Sequence, residues 1–390
     1  MLGLVLAAAV SACSATPNVS RAELAAVVQH DGIAFVGGSI PDAVVQRLAS
    51  HRVVILGETH HLREHWEFVA TLVRTLHAHG FRQLLVEAPQ MADWLFDDYV
   101  TGGELEPNLV LPSFWLRKFE AIRRFNDTLP VGERVHVRAI DMNETWYGGA
   151  GAFRDQVVRL SSHLPDPGPI AGFLAAGYAT AEAQEEAIDA LRAALQEREA
   201  SLVDAWGPRL YATVSEMASV ERASIEIRLK RETDDDAAAK DREGVIKQLA
   251  DARIGESTGG TLVNIGGHHA QKSELMGTDQ EWLGDYLSHR SDVTRGSAAA
   301  IVFSAARTEL DDGASGTPWN ILESASPDNE LYRVMAETWP EQNVFLWLDD
   351  PLFMNGRIAM NSEDTIYATA FKEQYDAVVQ YGLAHRMPAS

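Results

Sequence analysis

Four apolar runs in this chain end on residues that can carry or move a proton. VVIL is closed by Gly57-Glu58-Thr59-His60-His61, QLLV by Glu87, VHVRAI by Asp141, and TLV by Asn264-Ile265-Gly266-Gly267-His268-His269. An imidazole takes a proton from water near neutral pH, and a carboxylate beside it fixes the ring and its tautomer. Each residue alone has a duller role. Glu58 can cap the helix that follows it, Glu87 can end a strand, and Asp141 can make a turn. His61 and His65 stand four apart, which is metal spacing and also ordinary helix-surface composition. Gly57-x-x-His60 and Gly266-x-x-His269, however, are the same step repeated at the ends of two apolar runs. A glycine there lets backbone approach a ligand, and the histidine stands on the rim.

In a hydrolytic reading, His60 or His61 activates water, Glu58 and Glu87 orient or polarise it, and His269 stands near the developing oxyanion with Arg63 or Arg124. Asp141, Asn264 and His268 then contact a small-molecule substrate. No nucleophile elbow of Gly-x-Ser-x-Gly form is read in the sequence, so direct attack by water is expected rather than an acyl-enzyme. In a metal reading, His60, His65, Glu87 and His269 make an open site suited to Zn²⁺ or Mn²⁺.

Such residues converge only if the apolar runs are neighbouring parallel strands, because open parallel sheets keep their sites beyond the carboxyl ends of the strands. The runs at 51–58, 81–89, 133–141, 261–267, 299–305 and 343–349 read as buried strands. Helical stretches at 42–50, 61–80, 91–100 and 114–126 lie between them. This is the pattern of an α/β fold, a mainly parallel sheet flanked by helices. Pro165, Pro167 and Pro169 introduce polar helical stretches, read as a helical insertion at about 170–255. A C-terminal helix is expected after residue 349, and no solenoid-period repeat is present.

Composition narrows the function further. Of 390 residues 46% are hydrophobic, ample for a core, and the net charge of −23 repels a phosphate backbone, so nucleic-acid binding is excluded. The single cysteine excludes an internal disulfide and any Cys-rich metal site. That residue is Cys13, at the end of MLGLVLAAAVSAC, and Val10-Ser11-Ala12-Cys13 resembles a bacterial lipobox. Residues 1–12 are therefore expected to be a lipoprotein signal peptide, with Cys13 lipidated, 13–40 a tether and 41–390 the folded domain. The expected location is the bacterial cell envelope, anchored to the membrane by lipid.

The segments ILGETHH, GFRQLLVEAP, WLRKFEAIRRFND, RAIDMN, AAKDREGVIKQL, LVNIGGHHAQK and VFLWLDD together resemble a superfamily. It joins erythromycin esterase-like proteins, haem-binding ChaN-like lipoproteins and TraB/Tiki metalloproteases. The resemblance runs from about residue 51 to 349. It implies the same α/β fold, a site at Glu58, His60 or His61, Glu87 and His269, and either hydrolysis of an ester, lactone or amide-like bond or the binding of haem or metal. With the lipoprotein signal, the ChaN-like members imply a binding reading in which a rim histidine ligates haem iron beside a slot lined by Trp94, Phe96 and Tyr99. Gly266 stands where the esterases usually have a first histidine, and Lys240-Asp241 where they have Arg-Asp. The Gly-Glu-x-His and Gly-Glu-x-x-His forms favour His60 and His61 respectively.

Overall fold

The computed structural model describes residues 18–37, 39–103, 113–143, 151–274, 280–310, 329–362 and 365–387. Cys13 and the expected signal peptide lie outside them. The main sheet contains β1 (Ile33–Phe35), β2 (Val53–Glu58), β3 (Phe81–Pro89), β4 (His136–Asp141), β5 (Gly260–Gly266), β6 (Ala298–Ala305), β8 (Asn343–Trp347) and β11 (Ala377–Tyr381). Their order is β1-β8-β11-β6-β2-β5-β3-β4. From β11 to β4 all neighbours are parallel, and β8 pairs antiparallel with both β1 and β11. The fold is α/β.

The β-branched run Val53-Val54-Ile55-Leu56 is fully buried, as a parallel strand covered on both faces requires. Val54 and Leu56 join a core with Leu84, Val86 and Val137, under the helices Arg63–His77, Asp93–Thr101 and Ser113–Asn126. Val53 and Ile55 point the other way and join Leu85, Ile140, Val263 and Ile265, under the helices Arg21–Asp31, Asp235–Glu256 and Glu330–Thr338. This period-2 split is what lets one strand serve two cores.

Five helices lie between residues 169 and 256. The last, Asp235–Glu256, places Ile246, Leu249, Ala250 and Ile254 against the sheet, so it belongs to the sheet's cover as well as to the insertion. The expected tether at 13–40 is corrected in part. Arg21–Asp31 is a helix opened by a Ser20/Glu23 capping box, with Leu24 and Val28 buried one turn apart, and β1 follows it as an edge strand. The expected C-terminal helix is also corrected. Among the described residues beyond 349 the chain forms two short helices, Pro351–Asn355 and Phe371–Gln374. It also forms the hairpin β9 (Ile358–Ser362) and β10 (Thr365–Thr369), then β11 and β12 (Ala384–Arg386), the last paired in parallel with β7 (Thr308–Leu310). AVVQY at β11 is too short and too uniformly buried to show a helical period, and it lies inside the sheet beside β6.

Candidate active site

Strands β2, β5, β3 and β4 are consecutive neighbours running the same way, so their carboxyl ends form one edge. The register sets Glu58 opposite Gly266 and Leu56 opposite Asn264. A bulge between Val86 and Pro89 shifts the end of β3, so that Pro89 rather than Ala88 faces Asp141.

Glu58 is almost fully buried and its two oxygens are both engaged. Oε1 meets His60 Nδ1 at 2.8 Å, and Oε2 accepts from Asn264 Nδ2 at 2.8 Å. The side chain of His60 is 55% exposed. It is therefore open to water while its carboxylate partner is not. A methyl group built on Gly266 would stand 3.2 Å from His60 Nε2 and 3.2 Å from Glu87 Oε2. The free edge of His60 and the Glu87 carboxylate thus converge above a bare glycine. The doubled glycine step has unequal meaning, because at Gly57 the same methyl would strike Ala270 Cβ at 2.8 Å. Gly57 serves packing, and Gly266 leaves room for chemistry.

Glu87 accepts from Gly266 N at 2.7 Å and from Arg242 Nη2 at 2.7 Å, and His269 Nε2 lies 3.6 Å from it. His269 Nδ1 bonds Glu243 at 2.6 Å, and Glu243 also accepts from Leu283 N at 2.6 Å. The His269 ring meets Trp282 edge-on at 5.2 Å, and the exposed His268 ring is tilted over the same indole at 6.2 Å.

The electrostatics follow from these contacts. Burial works against the charge of Glu58, but Lys118, the His60 hydrogen bond and the charges of His60 and His65 hold its carboxyl far below the ordinary range. The same bond to Glu58 raises His60, against burial. Burial opposes the charge of Glu87, and His269, Arg242, His60 and the Gly266 N–H together bring its pKa down. Burial opposes protonation of His269, while Glu243 and Glu87 outweigh it and raise its pKa. Burial lowers His61, and the charges of Lys118 and His60 add to that.

Other expected residues fall elsewhere. Asp141 is fully buried and holds Arg242 at 3.0 and 2.6 Å, and burial raises its pKa. It anchors the arginine and is closed to a substrate. Asn264 is likewise buried, bridging Glu58 and His65 through Nδ2 and Oδ1. His65 is fully buried, with Nε2 2.5 Å from Asn264 and its ring edge-on to Phe303 at 4.4 Å, so it is corrected from metal ligand to core residue. Arg124 is exposed and pairs with Glu120 on its own helix, away from the strand ends. Helical periodicity explains that miss, since Trp115, Phe119 and Ile122 take the buried face and leave Arg124 outside. Arg63 engages Glu64 at 3.0 Å and His385 at 2.8 Å, which ties it to β12. His61 has a left-handed φ of 68°, and its carbonyl accepts from Met387 N at 2.8 Å. Its backbone makes the turn that presents His60.

Among the described residues no three His, Cys, Asp or Glu side chains are arranged to hold a metal ion. The donor chemistry explains this. Arg242 takes up Glu87 and Asp141, and buried Lys118 faces Glu58 and Glu87, so the cationic place beside these carboxylates is filled. A divalent metal does not fit this donor set. The expected haem slot fares no better. Phe96 is fully buried against Trp115 and Phe119 at 5.0 and 5.1 Å, Tyr99 lies under Arg123, and Trp94 meets His163 edge-on. These aromatics are packed into the body.

Sequence reasoning missed Lys118, Arg242 and Glu243. Each stands where a helix's apolar stripe meets a charge. Lys118 lies between Trp115 and Phe119, and Glu243 shares a face with Ile246, Ala250 and Ile254. Lys118 Nζ sits 4.4 Å from the Trp66 ring and 4.5 Å from that of Trp115, and burial lowers its pKa to about 8. Alignment of Lys240-Asp241 with an Arg-Asp pair hid Arg242, two residues on. The reading that no Gly-x-Ser-x-Gly string is present is corrected: the chain contains Gly255-Glu256-Ser257-Thr258-Gly259. It joins a helix to the start of β5, at the opposite edge of the sheet, with Ser257 Oγ bonded to Gly259 O, so it is not a nucleophile elbow.

The sheet order, the helical cover and this strand-end edge define a fold shared with solved proteins. A protein from Bacillus cereus superposes with a TM-score of 0.70 at 16% identity, over 95% of this chain and 99% of its own. A succinoglycan biosynthesis protein gives 0.65 at 14%, over 95% and 99%. A histidine-to-asparagine variant of the erythromycin esterase EreC, in its open conformation, gives 0.62 at 18%, over 89% and 94%. No family model and no curated protein matches the sequence. The likeness is one of fold, and it agrees with the resemblance carried by the strand-end motifs.

Proposed function

We propose that this protein hydrolyses an ester, lactone or amide-like bond by direct attack of water. One observation carries the reading: the Glu58–His60 pair, with a buried carboxylate on Nδ1 and an accessible Nε2 above Gly266. His60 Nε2 takes the proton as water attacks the carbonyl carbon. Glu58 fixes the tautomer and steadies the imidazolium that forms. His269, kept protonated by Glu243 and Glu87, donates from Nε2 to the developing oxyanion or to the leaving oxygen. Arg242 neutralises Glu87 and Asp141 so that the edge tolerates another anionic group. The resemblance to erythromycin esterase-like proteins and the fold shared with EreC support the same chemistry. No observation favours the haem or metal readings over it.

The test is a panel of aryl esters, simple lactones and macrolactones with purified protein. His60→Ala and His269→Ala should each lower turnover by about 10²- to 10⁴-fold with circular dichroism unchanged. Turnover that survives His60→Ala would overturn the assignment of the base. We further propose anchoring to the envelope through Cys13. No helix among the described residues is long and apolar enough to cross a membrane; in this reading a lipid on Cys13 makes the attachment. Cys13→Ser should then release the protein to the aqueous phase on detergent partition, and unchanged membrane association would refute it.

A further inference from the structure

The helix Ser113–Asn126 has two working faces. Trp115, Lys118, Phe119 and Ile122 turn inward, while Arg117, Glu120 and Arg124 are exposed. On the outer side, next to the helix Arg63–His77, lies a groove of about 490 Å³ lined by Arg74, Arg117, Glu120, Arg124, Phe125 and Thr128. That volume suits a small organic ligand. Three guanidinium groups share it with one carboxylate, and that carboxylate, Glu120, is paired with Arg124.

Acidic residues outnumber Lys and Arg by 56 to 33, so an arginine here readily finds a carboxylate. Arg21, Arg47, Arg138, Arg222, Arg242 and Arg253 do, and Arg52, Arg82, Arg134 and Arg154, which do not, give their guanidinium N–H groups to backbone carbonyls instead. Arg74 and Arg117 do not: among the described residues Arg74 bonds only the Thr71 hydroxyl, at 3.3 Å, and Arg117 has no ion pair. Two arginines without carboxylates, facing one groove on a strongly acidic protein, make a local positive field that attracts an anion. Guanidinium groups match phosphate oxygens in paired hydrogen bonds, and the Phe125 wall suits an apolar part attached to the phosphate.

We propose that this groove binds a phosphate-bearing ligand through Arg74 and Arg117, at a place separate from the strand-end site. The inference does not depend on the hydrolytic reading. The phosphate has two possible sources, a soluble phosphate compound or a phospholipid headgroup, and the chemistry of recognition is the same.

The test uses the purified protein and an Arg74→Ala/Arg117→Ala variant. An Arg192→Ala/Arg198→Ala variant serves as a control with the same change in charge, and circular dichroism checks all three. Pyrophosphate is titrated by calorimetry at low salt, and vesicles of phosphatidylcholine with and without phosphatidic acid are tested by co-sedimentation. Saturable pyrophosphate binding, weakened roughly tenfold or more in the groove variant alone, establishes the site with a soluble source. Phosphatidic-acid-dependent sedimentation lost only in the groove variant, without pyrophosphate binding, establishes it with a headgroup source. Absence of both, or equal losses in the two variants, overturns it.

Discussion

Glu58→Gln tests the base assignment most directly, because it exchanges one oxygen for an amide and leaves the volume alone. In the native site Asn264 gives its Nδ2 to Glu58 and meets His65 through Oδ1 at 2.5 Å, while Glu58 Oε1 meets His60 Nδ1 at 2.8 Å. A glutamine can keep its oxygen toward His60 only by turning its NH₂ toward Asn264 Nδ2. If Asn264 flips to relieve that clash, its bond to His65 reverses. Turned the other way, the glutamine accepts from Asn264 and donates to His60 Nδ1, which keeps both bonds but puts the ring proton on Nε2; the variant therefore either loses about 1–3 kcal/mol of stability or holds the base in the wrong tautomer. The effect on His60 is separate. A hydrogen bond to a charged partner is worth about 1.5–3 kcal/mol, and the imidazole is 55% exposed, so solvent screening argues for the low end in the imidazolium that forms as water is deprotonated. Its loss corresponds to a roughly tenfold fall in kcat at the plateau. Glu58 raises the pKa of His60, and protonated His60 cannot accept a proton, so activity falls below that pKa. Removing the carboxylate should also move the acidic limb of kcat/KM to lower pH. A pH profile on a cleaved ester measures both. An acidic limb that stays in place in Glu58→Gln would show that the titrating base is not His60.

Gly266→Ala should lower kcat by about tenfold with a stability change under about 1 kcal/mol, measured by turnover and thermal melting; its methyl presses on His60 and Glu87, and Glu87 is too firmly held to yield. Lys118→Met removes a positive charge that lowers the pKa of His60, so the acidic limb should move to higher pH, the reverse of Glu58→Gln. His385→Ala loses the one bond its Nδ1 makes, donated to Glu64 or accepted from Arg63 according to tautomer, beside the Met387 N–H that holds His61; chemical denaturation should show a loss of about 1–2 kcal/mol, accompanied by lower kcat. His269 has a raised pKa in the folded state, so its stabilising effect is complete below about 6.5 and is lost as pH rises through the folded value. Melting temperatures of wild type and His269→Gln should therefore converge between pH 6 and pH 9.

The strands that end in Glu58, Glu87, Asp141 and Asn264 were legible because buried parallel strands are short, apolar and β-branched, and their polar terminators mark where each one ends. From that followed the convergence of His60, Glu87 and His269, since neighbouring parallel strands leave few other places for them. Depth was not legible. Glu58, Asp141 and Asn264 look alike as strand-end polar residues, yet their surroundings make one a partner of the base, one an anchor for Arg242 and one a bridge between Glu58 and His65. Nor could helix residues be assigned to the site from strand logic. Lys118 and Glu243 are reached only by asking why an amphipathic stripe accepts a charge. β11 escaped because five buried residues carry no periodic signal.

The charges at this edge are interdependent, and that interdependence limits the chemistry. Glu58 and Glu87 remain ionised although buried only because Lys118, Arg242 and the two histidines face them. The carboxylates in return keep His60 and His269 readily protonated. Two imidazoles with similarly raised pKa values would both be acids or both be bases if their surroundings matched. They do not match: His269 is bonded to Glu243 and faces Glu87 with its side chain 12% exposed, while His60 is bonded to Glu58, faces Glu87 and is 55% exposed. The open edge of His60 gives a water access to Nε2, and the enclosed His269 is held by its two carboxylates in a form that can donate. One ring placed to accept a proton from water and another placed to donate one is the combination that attack on a carbonyl and departure of an alkoxide require.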